Sequence, residues 1–234
     1  MKLRLISFNT QHCRNYLSKK IDFDSVADFL RSSGADIIGL NEMRGKGPNP
    51  EYREQTEILA EKLGFYSYFA KALDVPGGGP YGNALLSRFP IENAETLAIP
   101  FPPEYCETLP ELAEPRCILR AEICGLRICV THFGLTDPEK QQAVQAVLSA
   151  VRQTRCVLMG DFNITPEHML LPHLRNVMSD TAAFFEGERL SFPSDAPNRR
   201  IDYLFTSKDI ETLYADIPAE IVSDHRPYVA DIRF

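Results

Sequence analysis

Polar side chains capable of metal and proton chemistry stand at the ends of apolar, strand-like segments at five places in the chain. They are Asn9, Asn41 with Glu42, His132, Asp161 with Asn163, and Asp224 with His225. Most of these groups are hard oxygen donors, which suit Mg²⁺ or Mn²⁺ better than Zn²⁺, and two are imidazoles. Because a sheet holds the ends of its strands rigidly, such residues can form one preorganised site.

Hydrolysis of a phosphate ester needs this combination of groups. A cation neutralises the phosphate oxygens, a carboxylate orients or deprotonates water, and an acid serves the leaving oxygen. We expect Glu42 and Asp224 to hold the metal. Asp161 and Asn163 would position water and a phosphate oxygen, and the two histidines would stabilise the transition state or transfer a proton. Asp202 stands between apolar residues and is suited to orient an imidazole.

The elements that must position these residues alternate between apolar periods of about two and about 3.6, which is typical of a layered α/β protein. The predicted strands cover residues 3–8, 36–40, 65–70, 83–87, 92–99, 117–123, 126–131, 156–159, 201–206, 212–217 and 228–234. The predicted helices cover residues 22–33, 51–63 and 138–153, with a short one near 167–171. Residues 74–81 and 100–115, rich in proline or glycine, are predicted loops.

The two halves of the chain repeat one pattern of strand, helix and buried strand. In each half the buried strand ends in a carboxylate, Glu42 or Asp161. Two face-to-face mixed sheets with helices outside would bury such strands on both faces. We therefore expect a four-layer αββα sandwich of the α/β (α+β) class, in a single domain over residues 1–234.

Seven motifs in order resemble the endonuclease/exonuclease/phosphatase superfamily, which has the deoxyribonuclease-I-like fold. They are Phe8-Asn9, Leu40-Asn41-Glu42, Gly82-Asn83-Ala84-Leu85-Leu86-Ser87, Thr131-His132-Phe133, Gly160-Asp161-Phe162-Asn163, Arg200-Ile201-Asp202-Tyr203 and Ser223-Asp224-His225. Each motif alone has an ordinary structural explanation, such as a turn or a helix cap. Their joint occurrence across nearly the whole chain indicates a phosphoesterase.

The resemblance implies a role for each matching residue. Asn9 and Glu42 would be metal ligands, and Asp224 would act on the same metal site. Asp161 would align or activate the attacking water, while Asn163 would bind the phosphate.

The resemblance also implies roles for the residues around this centre. His225, paired with Asp202, would contact the scissile phosphate, and His132 would stabilise the phosphate or assist the leaving group. Arg116 and Asn83 would bind substrate. One departure is Asn41, where the family usually has glutamine, and the shorter side chain could shift a hydrogen bond behind Glu42. His12, His168 and His173 are interpreted as structural or surface residues.

Composition limits the other functional classes. The chain has 234 residues, 44% of them hydrophobic, and a net charge of −7, which disfavours tight sequence-independent binding of nucleic acid or anionic membranes. Its six cysteines form no Cys-x-x-Cys pair and are interpreted as reduced core residues. The first residues lack a signal-peptide core and no apolar run approaches ~20 residues, so we expect a cytoplasmic protein, without membrane insertion and monomeric.

The predicted loops favour a small or short phosphoester as substrate. Four glutamates in residues 100–116 (Glu104, Glu107, Glu111 and Glu114) would repel a long phosphate backbone, and the chain has no tryptophan to enter a base stack. Five cations, Arg44, Lys46, Arg53, Arg199 and Arg200, are expected near the mouth. No hydrophobic hairpin is expected at the rim. The alternatives are a Mg²⁺-dependent DNA or RNA nuclease and a catalytically silent binding module of the same fold.

Overall fold

The computed structural model describes residues 1–102 and 114–234 of the chain. The strands are β1 Lys2–Asn9, β2 Ile37–Arg44, β3 Tyr66–Val75, β4 Gly79–Ser87, β5 Glu92–Ile99, β6 Arg116–Ile123, β7 Leu126–His132, β8 Cys156–Asp161, β9 Met178–Asp180, β10 Asp202–Ser207, β11 Glu211–Asp216 and β12 Tyr228–Arg233. The helices of the described residues are α1 Phe23–Ser33, α2 Gln55–Leu63, α3 Asp137–Ala150 and α4 Leu171–Val177. None of them is long and apolar enough to cross a membrane.

Two six-stranded mixed sheets form the centre of the molecule, with strand orders β11-β12-β1-β2-β4-β3 and β5-β6-β7-β8-β10-β9. One apolar cluster fills the space between them, including Leu5 of β1 and Val130 of β7. Helices α1 and α2 cover the outer face of the first sheet, and α3 and α4 cover that of the second. The predicted four-layer αββα sandwich is confirmed.

Local sequence signals explain where the long helices begin and end. The Asp22 carboxylate accepts a hydrogen bond from the Ser25 amide at the start of α1, and Gly34 ends that helix in a left-handed conformation. Thr136 and Glu139 form a reciprocal capping box at the start of α3. Of these signals only Gly34 entered the sequence prediction, which otherwise depended on apolar residues that share one helical face.

Three local predictions were wrong. Residues 74–81 are not a loop, because β3 and β4 continue into this segment and pair as a hairpin with a turn at residues 76–78. The short helix lies at Leu171–Val177 rather than near 167–171, with a proline in its first turn, where the absence of a proline N–H is harmless. Cys124 is exposed in the β6–β7 turn and is not a core residue; the other described cysteines are buried and free.

Each sheet contains one pair of parallel neighbours, β1 with β2 and β7 with β8, and all other described neighbours are antiparallel. The register sets Asn9 beside Asn41 and His132 beside Asp161. Because parallel strands end at the same edge, the topology delivers these four side chains to one end of the sandwich.

Candidate active site

The predicted chemical residues meet at one open cavity of about 890 Å³ at the edge of the two sheets. Its lining includes Glu42, Arg116, His132, Asp161, Asn163, Asp224 and His225. Asn9 and Asp202 lie directly behind this lining, since they contact Asp161 and His225 respectively. The residues therefore come together from both sheets, although almost the whole chain separates the first from the last.

Asp161 is the centre of the site. One carboxylate oxygen, Oδ1, accepts a hydrogen bond from the Asn163 amide at 2.9 Å. The other, Oδ2, accepts one from Asn9 Nδ2 at 3.1 Å and lies 3.4 Å from His132 Nε2 and 3.5 Å from His225 Nε2. Burial raises the pKa of Asp161 to about 7. The positive charge of His225 acts against this shift, and the negative charge of Asp202 adds to it. A carboxylate with such a pKa can take up a proton near neutral pH.

His225 is held by Asp202, whose Oδ2 lies 2.8 Å from His225 Nδ1. Burial opposes a charge on this imidazole, but attraction from Asp202 and Asp161 outweighs it and raises the pKa of His225 to about 10. The imidazole is therefore cationic at neutral pH, with Nε2 directed toward Asp161. Asp161, Asp202 and His225 offer ligand atoms that all lie within 4.8 Å of one another, so this buried cluster could hold a metal ion.

His132 has the opposite protonation state. Burial, together with the nearby charge of Arg116, lowers the pKa of His132 well below its usual range. Its Nε2 lies 3.2 Å from Asn163 Nδ2, an amide nitrogen that only donates. The neutral ring thus accepts at Nε2 and carries its proton on Nδ1, which is buried without a partner.

A second group of polar residues surrounds Glu42 at the end of β2. Asn9 Nδ2 donates to Glu42 Oε1 at 3.2 Å, and Gln11 Nε2 donates to Asp224 Oδ2 at 2.9 Å. Burial raises the pKa of Asp224, and the negative charge of Glu42 contributes in the same direction. Two neighbouring carboxylates that destabilise each other's charge form a suitable place for a hard divalent cation.

The fit of a cation to this second group depends on Asn9. As placed, its amide nitrogen faces Glu42 and Asp161, so it bridges the two carboxylates as a donor. Coordination through its oxygen requires the amide to flip, and Oδ1 now accepts from the Gln11 amide at 3.1 Å. Glu42 and Asp224 present carboxylates to the cavity as they stand, whereas Asn9 would present its oxygen only after this flip.

Asn41 joins the two sheets behind the carboxylates. Its Nδ2 donates to Asn83 Oδ1 at 2.8 Å and to the Thr131 carbonyl at 3.0 Å, and its Oδ1 accepts from the Asp161 amide at 2.9 Å. The shorter side chain thus still reaches across the sheet interface. Asn83, predicted to bind substrate, is buried at 2% exposure, and its own nitrogen donates to Cys117, so it supports Asn41 and does not line the cavity.

Unusual backbone conformations concentrate at this edge of the molecule. Among the described residues, nine that are not glycine have positive φ, and five of them surround the site. These five are Gln11, His12, Cys13, Glu42 and Asn163. Left-handed backbone is unfavourable for most side chains and clusters where function requires it. Asn163, whose residue type tolerates this region, is the least strained of the five.

The cavity is also lined by residues outside the predicted motifs, among them His12, Tyr81 and Leu135. His12, interpreted as structural, places Nδ1 2.8 Å from the Glu42 carbonyl, and burial lowers its pKa to about 4. Tyr81 lies beside it, since the two ring centroids are 5.7 Å apart. Leu135 contributes an exposed apolar side chain to the rim. No local pattern marks His12, because its position depends on the left-handed turn after β1.

The predicted cations divide into two groups. Arg44, Arg116 and Arg199 line the cavity. Arg200 does not, because it packs against the rings of Phe185 and Tyr203 and lies 3.6 Å from Asp180. Lys46 and Arg53 are exposed and are not part of the lining. Of the four predicted acidic residues, Glu104, Glu107 and Glu111 lie outside the described residues.

The rim also carries an apolar hairpin that was not expected. Leu73 and Val75 of β3, with Pro76 of the following turn, line one side of the cavity. The proline and glycines of this segment predicted a loop, whereas they form only its tight turn. An apolar portion of a ligand could therefore contact this side of the cavity.

Comparisons with known proteins agree with this architecture. Residues 6–225 match the model of the endonuclease/exonuclease/phosphatase family. The uncharacterized protein YbhP of Escherichia coli K12 is 24% identical over 253 residues, which cover 98% of this chain and 95% of that protein. An endonuclease/exonuclease/phosphatase structure from Bacteroides vulgatus has a TM-score of 0.80 at 19% identity, covering 100% of this chain and 99% of the other. The mannosyl-6-phosphatase Bt3783 of Bacteroides thetaiotaomicron has a TM-score of 0.76 at 16% identity, covering 99% and 100%.

Proposed function

The chain belongs to the endonuclease/exonuclease/phosphatase family, and from this premise we propose that it is a divalent-metal-dependent phosphoesterase. It would hydrolyse a phosphomonoester or phosphodiester of a small or short substrate by direct attack of water. The observation that supports this most strongly is the position of Asp161, between two imidazoles and open to the cavity that Glu42 and Asp224 also line.

Asp161 would act as the base in this reaction. A water molecule in the cavity would give its proton to Oδ2 while its oxygen attacks phosphorus, because the raised pKa of Asp161 favours proton uptake. The amide hydrogen bond from Asn163 to Oδ1 keeps the carboxylate oriented. Asn9 is the other hydrogen-bond donor to Asp161, through its Nδ2 to Oδ2.

The two imidazoles, His225 and His132, would have different roles. His225, cationic and fixed by Asp202, would donate from Nε2 to a phosphate oxygen as negative charge develops. His132, neutral and accepting from Asn163 at Nε2, would hold the Asn163 side chain in place without adding charge to the site. A preorganised donor such as His225 stabilises a transition state more than it stabilises the bound substrate.

Glu42 and Asp224 would hold the metal, with Asn9 as an additional oxygen ligand. A bound Mg²⁺ or Mn²⁺ would neutralise phosphate oxygens and stabilise the departing oxygen. The buried cluster of Asp161, Asp202 and His225 is a less suitable primary site in this proposal, since His225 Nδ1 is already paired with Asp202.

A small substrate fits the walls of the cavity. Glu114 lines the cavity beside Arg116, and its negative charge disfavours the binding of a long phosphate backbone. One solved relative in fold is a mannosyl-6-phosphatase, so sugar phosphates belong in the first set of candidate substrates.

The test is hydrolysis of a panel of phosphomonoesters, phosphodiesters and single-stranded oligonucleotides in Mg²⁺, in Mn²⁺ and in EDTA. The proposal expects metal-dependent turnover of at least one small ester. Cleavage restricted to oligonucleotides, weakening steeply with salt, would indicate a nuclease instead. No turnover of any compound in either metal, with the fold intact by circular dichroism, would indicate a binding module.

A further inference from the structure

Arg44 is a buried cation on the wall of the cavity with an unusual environment. It is the last residue of β2 and is only 8% exposed. Its guanidinium carbon lies 4.6 Å from the ring centroid of Tyr52 and 4.9 Å from that of Tyr81. The backbone amide of Arg44 donates to Gln55 Oε1 at 2.9 Å, which fixes the base of the side chain. The guanidinium is thus held in a defined place between two rings.

Among the described residues, no carboxylate is paired with the charge of Arg44. The Nε and Nη1 atoms of this residue are buried and have no hydrogen-bond partner there. Buried N–H donors of a charged group are costly to leave without acceptors. Contact with the two rings stabilises the cation but gives these N–H groups no acceptor oxygen.

A second arginine stands on the same wall. The side chain of Arg116 is 10% exposed, and its Nε and Nη1 also lack partners. Its Nη2 lies 3.3 Å from Glu114 Oε1, which balances part of its charge. Both arginines line the cavity that holds Asp161 and His225. Within the part of the chain that the structure describes, Arg116 is thus paired with a carboxylate and Arg44 is not, so Arg44 is the arginine of this wall with N–H groups open to an anionic ligand.

The position of this wall relative to the reaction centre suggests what it binds. Arg44 follows Glu42 by two residues on β2, and both line the cavity that also contains Asp161 and His225. A phosphate bound by Arg44 would therefore lie in the same cavity as the ester that is hydrolysed, as a second phosphate of one small molecule would. The planar guanidinium is also the side chain best suited to phosphate oxygens.

We propose that Arg44, held by Tyr52 and Tyr81 and assisted by Arg116, forms a second phosphate subsite beside the scissile ester. The preferred substrate is then a small molecule with two phosphate groups, of which one is hydrolysed and the other is bound by Arg44. This inference rests on the proposed function for the identity of the reaction, but the subsite itself requires neither metal nor turnover.

The experiment measures binding by titration calorimetry to the full chain in EDTA. The probes are bisphosphates of straight alkanediols with two to six carbons, each compared with the alkyl monophosphate of the same length. We expect one chain length to bind at least about tenfold more tightly than its monophosphate. In Arg44→Gln this preference disappears. In Arg44→Met, which retains the packing between the rings, it disappears too, and Arg44→Lys keeps part of it.

The matched control is Arg53→Gln, which removes the same charge from an exposed neighbour of Tyr52 that does not line the cavity. It should retain the full preference. Equal binding of bisphosphates and monophosphates by the unmodified chain, or a preference that survives in folded Arg44→Gln and Arg44→Met, would overturn the subsite. A bisphosphate preference without any hydrolysis in Mg²⁺ would support the subsite and reject the proposed reaction.

Discussion

The two halves of the sandwich use the same unit for opposite purposes. In one, β1, α1 and β2 form a parallel crossover that ends at Glu42; in the other, β7, α3 and β8 form the same crossover and end at Asp161. The Glu42 side chain is 24% exposed, whereas that of Asp161 is 2% exposed. The topology thus delivers two carboxylates to one edge, and the surrounding side chains decide which remains accessible and which is desolvated.

The difference in exposure between Glu42 and Asp161 comes from the backbone and side chains around each carboxylate. Glu42 lies at a bulge within β2 and has a positive φ, and its side chain lines the cavity together with Asp224. Asp161 ends a regular strand between His132 and His225, with no bulge. An accessible carboxylate pair suits a cation, while a buried carboxylate between imidazoles suits proton transfer.

The largest expected effect is on catalysis, and it differs between the two carboxylates. Asp161→Asn should lower kcat by a factor of about 10³ or more at every Mg²⁺ concentration, because it removes the base. Glu42→Gln should instead raise the Mg²⁺ concentration needed for half-maximal rate, with activity partly restored at high Mg²⁺. Initial rates across a Mg²⁺ titration measure both.

The control is Arg31→Gln, which removes an exposed ion pair of α1 that does not line the cavity. It should leave these rates unchanged. Restoration of Asp161→Asn by Mg²⁺, or a Glu42→Gln defect independent of Mg²⁺, would remove the distinction between the halves.

A smaller effect is expected on folding stability, from one glycine in each of the strands β2 and β8. Gly160 has φ of 147°, and a Cβ there would lie 1.8 Å from the Thr131 carbonyl oxygen. A Cβ on Gly39 would meet only side chains, with Met159 Sδ at 2.6 Å. Gly160→Ala should lower the free energy of unfolding by about 3–5 kcal/mol, and Gly39→Ala by about 1–3 kcal/mol.

Urea denaturation in EDTA measures both values on the same scale. If Gly39→Ala lowered the free energy of unfolding as much as Gly160→Ala, the Met159 side chain would be unable to move aside. The surroundings of Gly39 and Gly160 would then be equally rigid.

The sequence was sufficient to bring residues together in prediction where a polar residue stands at the end of an apolar, strand-like segment. Glu42, Asp161 and His225 follow or precede apolar segments, so periodicity and motif order were sufficient to place them together. His12 and the partnership of Asn41 with Asn83 could not be predicted in this way, because they depend on a left-handed turn and on contacts between sheets. The β3–β4 hairpin was missed because Pro76 and its glycines signal a turn without indicating how far the strands extend.

The smallest effect is a titration difference between one histidine of each half. Burial lowers the pKa of His12, beside Glu42, to about 4. Burial acts to lower the pKa of His225, but the charges of Asp202 and Asp161 outweigh it and raise this pKa to about 10. NMR of ¹⁵N-histidine-labelled protein in EDTA should show His12 neutral and His225 charged throughout pH 6–9, with His12→Asn and His225→Asn for assignment.

These shifts also set the direction of stability with pH. A lowered folded-state pKa means that His12 stabilises the fold above its ordinary value of 6.5, and that this contribution is lost as the pH falls through about 4. A raised pKa means that His225 stabilises the fold below 6.5, and that this contribution is lost as the pH rises through about 10. Titration of both residues near 6.5 would contradict the assigned environments.

The central claim, that the Glu42 half holds the metal and the Asp161 half handles the proton, is tested most directly by calorimetric titration of Mn²⁺ into Glu42→Gln and Asp202→Asn. Glu42→Gln should weaken Mn²⁺ binding by at least about tenfold, and Asp202→Asn should change it by less than that. Loss of binding in Asp202→Asn with unchanged binding in Glu42→Gln would place the metal in the buried Asp161, Asp202 and His225 cluster and contradict the account.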